Sequence, residues 1–369
     1  MTRSPSADAP SRPLSRRRLL RSAGLAGTVA AMGVAGGRAL ATSRPVSLPP
    51  GLPEPPICQV ADTAPVTIIE GATKHLRLTW NANAICTVGV PVADAKGLFA
   101  KRNLKVELIN FGGSTDQLLE AIATGKADAG VGMALRWLKP LEQGFDVKIT
   151  TAIHGGCMRL LAAKGSGITS LEGLKGKRIG ATDMGAPDKN FFSIGLAKRG
   201  IDPIKDVEWR IFPADMLGVA LKKGEIDAFA LGDPLGWVIR DRDGLVEVTN
   251  NLAGEYAHRA CCILGVRGSL IREQRPAAAA VTEALLEAQD WVAANPDEAS
   301  AIFAPYSAAA KPEQLAAMLR SHTHAHHPTG EALKQELAAY IAELKVVSVI
   351  KPRTDPARLS DKVYANVLS

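Results

Sequence analysis

Cysteines, methionines and histidines are the side chains of this chain with the most chemistry to offer. Cys157-Met158 and Cys261-Cys262 each open a segment that reads as a strand, and Cys86 and Met184 fall on loops nearby. Thiols and thioethers are soft, weakly polar donors. The set suits an apolar organic solute, or a soft ion such as copper(I) held by Cys157, Met158, Cys261 and Cys262 as the alternative to no cofactor at all. The same residues serve equally as small buried hydrophobes, or as a disulfide between the two segments if their Cα atoms come within about 7 Å. A second cluster, Ser321-His322-Thr323-His324-Ala325-His326-His327, gathers four of the seven histidines. Imidazoles at this spacing can chelate a divalent ion, yet no acid or cysteine adjoins them and Pro328 points to a solvated turn.

Covalent catalysis has less support. A nucleophilic cysteine needs a base beside it, and His154, three residues before Cys157, is the only candidate adjacent in sequence. The chain carries no nucleophile elbow, phosphate loop or dinucleotide fingerprint. The expectation is therefore a binding protein with no catalytic residues.

The elements that must position these side chains announce themselves by repetition. Residues 118–128 read LLEAIATGKAD and residues 217–227 read LGVALKKGEID, so Gly125 and Asp128 recur as Gly224 and Asp227. Strands are expected at 75–80, 105–110, 127–133 and 147–152, with helices at 91–102 and 115–124. A second set follows, with strands at 178–182, 207–212 and 228–231 and helices at 189–199 and 216–223. After one more strand at 260–266 the chain turns helical, with an apolar face of Val281, Ala284, Leu285 and Ala288 that reads as core. Alternating strands and helices imply parallel βαβ units, and two copies imply two α/β lobes around a cleft.

In open parallel sheets ligands sit beyond the carboxyl ends of the strands. That rule selects Trp80 and Asn81 after the first strand, Gly113 and Ser114 in a glycine turn, and Met133 at the end of the third strand. It also selects Asp188 in the loop 182–188 and Asp233 before Pro234. Trp80 is expected to stack on a ligand. His154, Cys157 and Cys262 complete the ligand-binding set.

Charge is distributed unevenly. Residues 1–41 hold seven arginines against one acid, Asp8, and so carry +6 of the formal +7. The remainder is close to neutral, which excludes the concentrated positive field a nucleic acid partner needs. Ser15-Arg16-Arg17-Arg18-Leu19-Leu20-Arg21, an apolar stretch at 23–36 and Ala39-Leu40-Ala41 read as a twin-arginine export signal with its cleavage site. Six prolines between 45 and 56 mark a linker over 42–73. Export places the protein in the periplasm or on the outer face of the cytoplasmic membrane.

The run GIDPIKDVEWRIFPADMLGVALKKGEIDAFALGDPLGW, residues 200–237, resembles the middle of periplasmic solute-binding proteins of the nitrate, sulfonate and taurine importer family. The resemblance extends over residues 74–305. It implies a periplasmic-binding-protein-like fold, each lobe a mostly parallel sheet flanked by helices, with lobe 1 at 74–160 plus 261–369 and lobe 2 at 161–260. Two crossover strands would form the hinge. It further implies a small-molecule solute, an ABC importer permease and ATPase as partners, and a monomer. Nitrate-type members hold their anion with a Gln, a His and a Lys, aligned here with Met158, Asp188 and Cys262. Losing those three donors weakens the case for nitrate or bicarbonate. Proteins of similar fold include a pyrimidine-forming thiamin-precursor enzyme, the lesser alternative, whose cysteine-rich signature this chain does not reproduce.

Overall fold

The sequence repeat is the repeat of a hydrogen-bonding device. Asp128 accepts the backbone N–H of Arg77 at 2.8 Å, and the Arg77 guanidinium donates to the Gly125 carbonyl at 2.7 Å. In the second copy Asp227 accepts the Arg178 N–H at 2.8 Å and Arg178 donates to the Gly224 carbonyl at 2.7 Å. Gly125 and Gly224 take φ of +75° and +68°, the left-handed turn that glycine adopts without a Cβ penalty. Each device fastens the turn that ends a helix to the strand beside it.

This computed structural model describes residues 66–369 except 112–114, 309 and 325, all within one compact unit, Asp62–Ser369. The export signal, most of the linker, Cys58, Gly113 and Ser114 lie outside the described residues.

Two five-stranded sheets carry the chain. The first contains β1 (Lys74–Trp80), β2 (Leu104–Asn110), β3 (Ala129–Met133), β4 (Val147–His154) and β10 (Cys262–Arg267), in the order β2-β1-β3-β10-β4. The second contains β5 (Met158–Ala162), β6 (Arg178–Ala181), β7 (Glu208–Ile211), β8 (Ala228–Gly232) and β9 (Val246–Asn250), in the order β7-β6-β8-β5-β9. Four strands in each run the same way, three of them paired in parallel as the repeat requires. The strands β10 and β5 run antiparallel to both their neighbours. The periodicities explain the burial. In β1 the alternation turns Leu76, Leu78 and Trp80 inward, whereas β5 is buried throughout, as a strand covered on both faces must be.

The chain leaves the first sheet at His154 and enters the second at Met158, so residues 158–160, expected in lobe 1, pair within the second sheet. It returns between Asn250 and Cys262. The helix expected at 91–102 is shorter, Gly89–Ala95, because Gly97 turns left-handed at φ +67° and a separate turn follows at Ala100–Arg102. The long helix Arg275–Ala294 buries Val281, Ala284, Leu285 and Ala288 against β4 and the helix Gly89–Ala95, so its apolar face is core.

Candidate functional site: the cleft between the lobes

The carboxyl ends of β1, β3, β6 and β8 face one another across a cleft of about 510 Å3. Asn81, Asn83 and Ala84 follow β1, Met133 closes β3, Thr182 and Asp183 follow β6, and Asp233 and Pro234 follow β8. Pro187 and Asp188 open the helix Pro187–Ala197 toward the same space, and Met158, Leu231 and Leu235 supply apolar wall. Among the described lining residues there are four aspartates, Asp183, Asp188, Asp215 and Asp233, and no lysine, arginine or histidine.

The acids differ in what they can offer. Asp233 is 2% exposed, and its carboxylate is fully committed. It accepts two bonds from Arg159 Nε at 2.9 and 3.0 Å, one from Arg159 Nη2 at 2.8 Å and one from the Trp237 N–H at 3.0 Å, and His322 Nε2 lies 2.9 Å away. Burial raises its carboxyl, but His322 and Arg159 outweigh burial and hold it below the usual range. Asp183 accepts from Arg136 of the first lobe and from the Gly185 N–H. Among the described residues no ion pair reaches Asp188, and Arg136 acts on it only as a charge at a distance. Burial pushes its carboxyl up to about 7, with the charge of Asp183 adding and the Lys189 N–H opposing. Helix N-termini ordinarily stabilise a carboxylate, so here desolvation wins.

Of the residues expected from sequence, Asn81, Met133, Asp188 and Asp233 line the cleft. Trp80 does not. Its ring points into the core of the first lobe, edge-on to Phe303 and Tyr306 at centroid separations of 6.4 and 5.0 Å, which corrects the expectation of ligand stacking. His154, Cys157 and Cys262 are buried behind the cleft and absent from its described lining. Asn83 and Asp183 fall in the strand-end segments 80–83 and 182–188 read from sequence as cleft candidates, though neither was singled out, and Asp215, in the turn after β7, was passed over.

The soft residues divide. Met158 faces the cleft, whereas Cys157, Cys261 and Cys262 meet Cys86 in a wholly buried cluster of free thiols that hydrogen-bond one another. Donation from Cys157 and Cys262 draws Cys86 down to about 6. Cys157 is pushed up to about 11; its bonds from Cys261 and Cys262 oppose this, but those with Cys86 and burial prevail. A thiol held that high and sealed from solvent is a poor nucleophile, and His154 spends Nδ1 on the Gly155 carbonyl at 2.7 Å. The histidine run is also placed differently from the solvated turn its sequence suggests. His322 and His324 are buried against His154. Among the described residues no group of three or more His, Cys, Asp or Glu side chains stands ready, as placed, to hold a metal ion.

The sequence matches the profile described as NMT1/THI5 like over residues 86–299, more than half of the chain. The chain belongs to that family. Within reach of this NMT1/THI5-like protein are the 4-amino-5-hydroxymethyl-2-methylpyrimidine phosphate synthase of Uromyces fabae, 37% identical over 105 residues, and a putative thiamine biosynthesis protein of Haemophilus influenzae, 25% identical over 247 residues. The first match covers 28% of this chain and 30% of the Uromyces protein, the second 65% and 74%. The NMT1/THI5-like chain shares its fold with the periplasmic aliphatic sulphonate binding protein SsuA from Escherichia coli. Their TM-score is 0.68 at 16% identity, covering 79% of this chain and 92% of SsuA. The architecture is thus the periplasmic-binding-protein fold that the family resemblance implied.

Proposed function

We propose that the protein is the exported solute-binding component of an ABC importer, and that its solute is a small organic cation or a donor-rich nitrogen heterocycle of the aminopyrimidine kind. The binding-protein fold, the Arg136–Asp183 bridge between the lobes and the name of the structural neighbour SsuA support the first half. One observation carries the second: the described cleft wall holds no cationic side chain, and two of its four aspartates, Asp188 and Asp215, stand outside the ion pairs that commit Asp183 and Asp233. A bare anion 4 Å from an unneutralised carboxylate would be repelled by about 4 kcal/mol at the effective dielectric of a protein surface. A protonated amine or an amidine-like ring edge would instead gain charge-assisted hydrogen bonds from Asp188, while Met133, Met158 and Leu235 cover its apolar face. The site binds by closure and hands its cargo to a permease and its ATPase.

Thermal denaturation in the presence of about 1 mM solute tests this reading. 4-Amino-5-hydroxymethyl-2-methylpyrimidine and small aliphatic amines should include at least one compound that raises the melting temperature by about 4 °C or more. Nitrate, bicarbonate, taurine and ethanesulfonate should raise it by less. A sulfonate or nitrate that stabilises more strongly than every amine and pyrimidine would refute the cationic assignment.

A further inference from the structure

Two segments of chain join the second lobe to the first, 155–157 on the way out and 251–261 on the way back, and each ends on a cysteine. Cys157 immediately precedes β5, and Cys261 immediately precedes β10. Backbone groups tie the segments side by side. The Cys261 N–H donates to the His154 carbonyl at 2.8 Å, and the Asn251 N–H donates to the Met158 carbonyl at 3.2 Å. In return Asn251 Oδ1 accepts the Met158 N–H at 2.7 Å. A Cβ on Gly156 would stand 2.3 Å from the Asn251 carbonyl oxygen, so only glycine lets the two segments come this close.

The two thiols meet in this neck. Cys157 and Cys261 are hydrogen-bonded to each other, each the other's foremost thiol partner, and Cys261 also engages the Asn251 side chain. They are 0% and 5% exposed, and neither is among the described residues that line the cleft, so solute capture gives them no task. The other two members of the cluster differ in position. Cys86, in the turn Ile85–Thr87, and Cys262, the first residue of β10, both belong to the first lobe, and a bond between them would stay within it. Only a bond from Cys157 to the return segment joins the two ends of the second lobe.

We propose that Cys157 and Cys261 are a disulfide-forming pair that closes the neck of the second lobe. The oxidant is a small-molecule disulfide, of the kind met outside the cytoplasm. One cysteine thiolate displaces a thiol from that disulfide and forms a mixed disulfide; the other thiolate then attacks the protein sulfur and expels the second thiol. The protein loses two hydrogens, each released thiol carries one away, and the small disulfide is reduced. The exchange takes place while the chain folds and the thiols are within reach, after which the finished neck seals the bond. Strands β5 to β9 all lie between the two cysteines, so the bond makes one covalent ring of the whole second sheet. A ring of roughly 100 residues restricts the unfolded chain strongly, which is where the stabilisation arises. The bond does not cross the cleft, so the lobes still close.

The test refolds the fully reduced full-length chain from urea in a buffer of oxidised and reduced glutathione. Remaining thiols are then alkylated, and the protein is digested without reductant and mapped by mass spectrometry. The main cross-linked species should join the peptides that carry Cys157 and Cys261. Its melting temperature should exceed that of the reduced protein by about 5–10 °C. Cys157→Ser and Cys261→Ser should each abolish the gain, whereas Cys86→Ser should keep it. Each variant is compared with its own reduced form, so that altered packing is not mistaken for a lost bond. Refolded protein with no disulfide, or with its main bond to any other partner, Cys58 included, overturns the proposal. So does a Cys157–Cys261 bond that leaves the melting temperature where it was. No solute enters the measurement, so its outcome is separate from that of the cationic assignment.

Discussion

Arg136 of the first lobe donates through Nη1 to Asp183 of the second, while its Nε holds Asp116 of its own lobe at 2.6 Å and its Nη2 bonds the same carboxylate. One guanidinium therefore clamps a carboxylate on each side of the cleft. Asp183 is also a cleft-lining residue, which joins the clamp to the solute space.

Closure should depend on that clamp. Both acids are about half exposed, so the bridge contributes about 1 kcal/mol, no more than a partly solvated ion pair can. Arg136→Ala should widen the unliganded protein, read as a larger radius of gyration in solution scattering, and weaken solute binding about fivefold. An unchanged scattering profile and affinity would mean the lobes are held by other contacts.

Stability should fall as pH rises from about 4 to about 7 at Asp188. Its folded value of about 7 stands above the ordinary aspartate value of 3.8, so between the two the unfolded chain has lost the proton and the native state keeps it. The loss reaches a few kcal/mol at neutrality and is absent below pH 4. Denaturant titrations of Asp188→Asn should lack this slope. The same variant should lose affinity for a cationic solute above pH 7, where the wild-type carboxyl is ionised.

Removing the Asp233 carboxylate should be expensive. Arg159 is 3% exposed and donates three bonds to that group, with Glu247 at its other edge. Asp233→Ala leaves a buried guanidinium half-paired, and urea unfolding should show a loss of about 3–5 kcal/mol. A loss below 1 kcal/mol would indicate that solvent reaches Arg159.

The thiol cluster gives a chemical count. In the reduced, folded protein Cys86, Cys157, Cys261 and Cys262 should resist an aromatic disulfide reagent, and unfolding should release four additional thiols. Rapid labelling of any of the four in the native state, located by mass spectrometry, would contradict their burial.

How much of this was legible beforehand differs by kind of interaction. The repeat predicted two lobes because Gly125 and Asp128 recur at fixed spacing, and local periodicity placed most strands within a residue or two. Strand ends led to Asn81, Met133, Asp188 and Asp233 because loop position follows from topology. Trp80 was misread for a local reason: its neighbours along the strand do not reveal that Phe303 and Tyr306 close over the indole. The bond between Asp233 and His322 spans 89 residues and leaves no mark in either neighbourhood. For the same reason a histidine run with the local look of a solvated turn proved to be buried.

The position of β10 has a consequence for the order in which the molecule can be completed. It lies between β3 and β4 inside the first sheet, yet it is synthesised after every strand of the second. As the chain emerges, the second lobe has all its strands while the first is still two fragments, with the facing edges of β3 and β4 unpaired. A chain halted after residue 261 would contain one finished sheet and one lacking the strand that joins β4 to the rest. The lobe that begins first is the last to close.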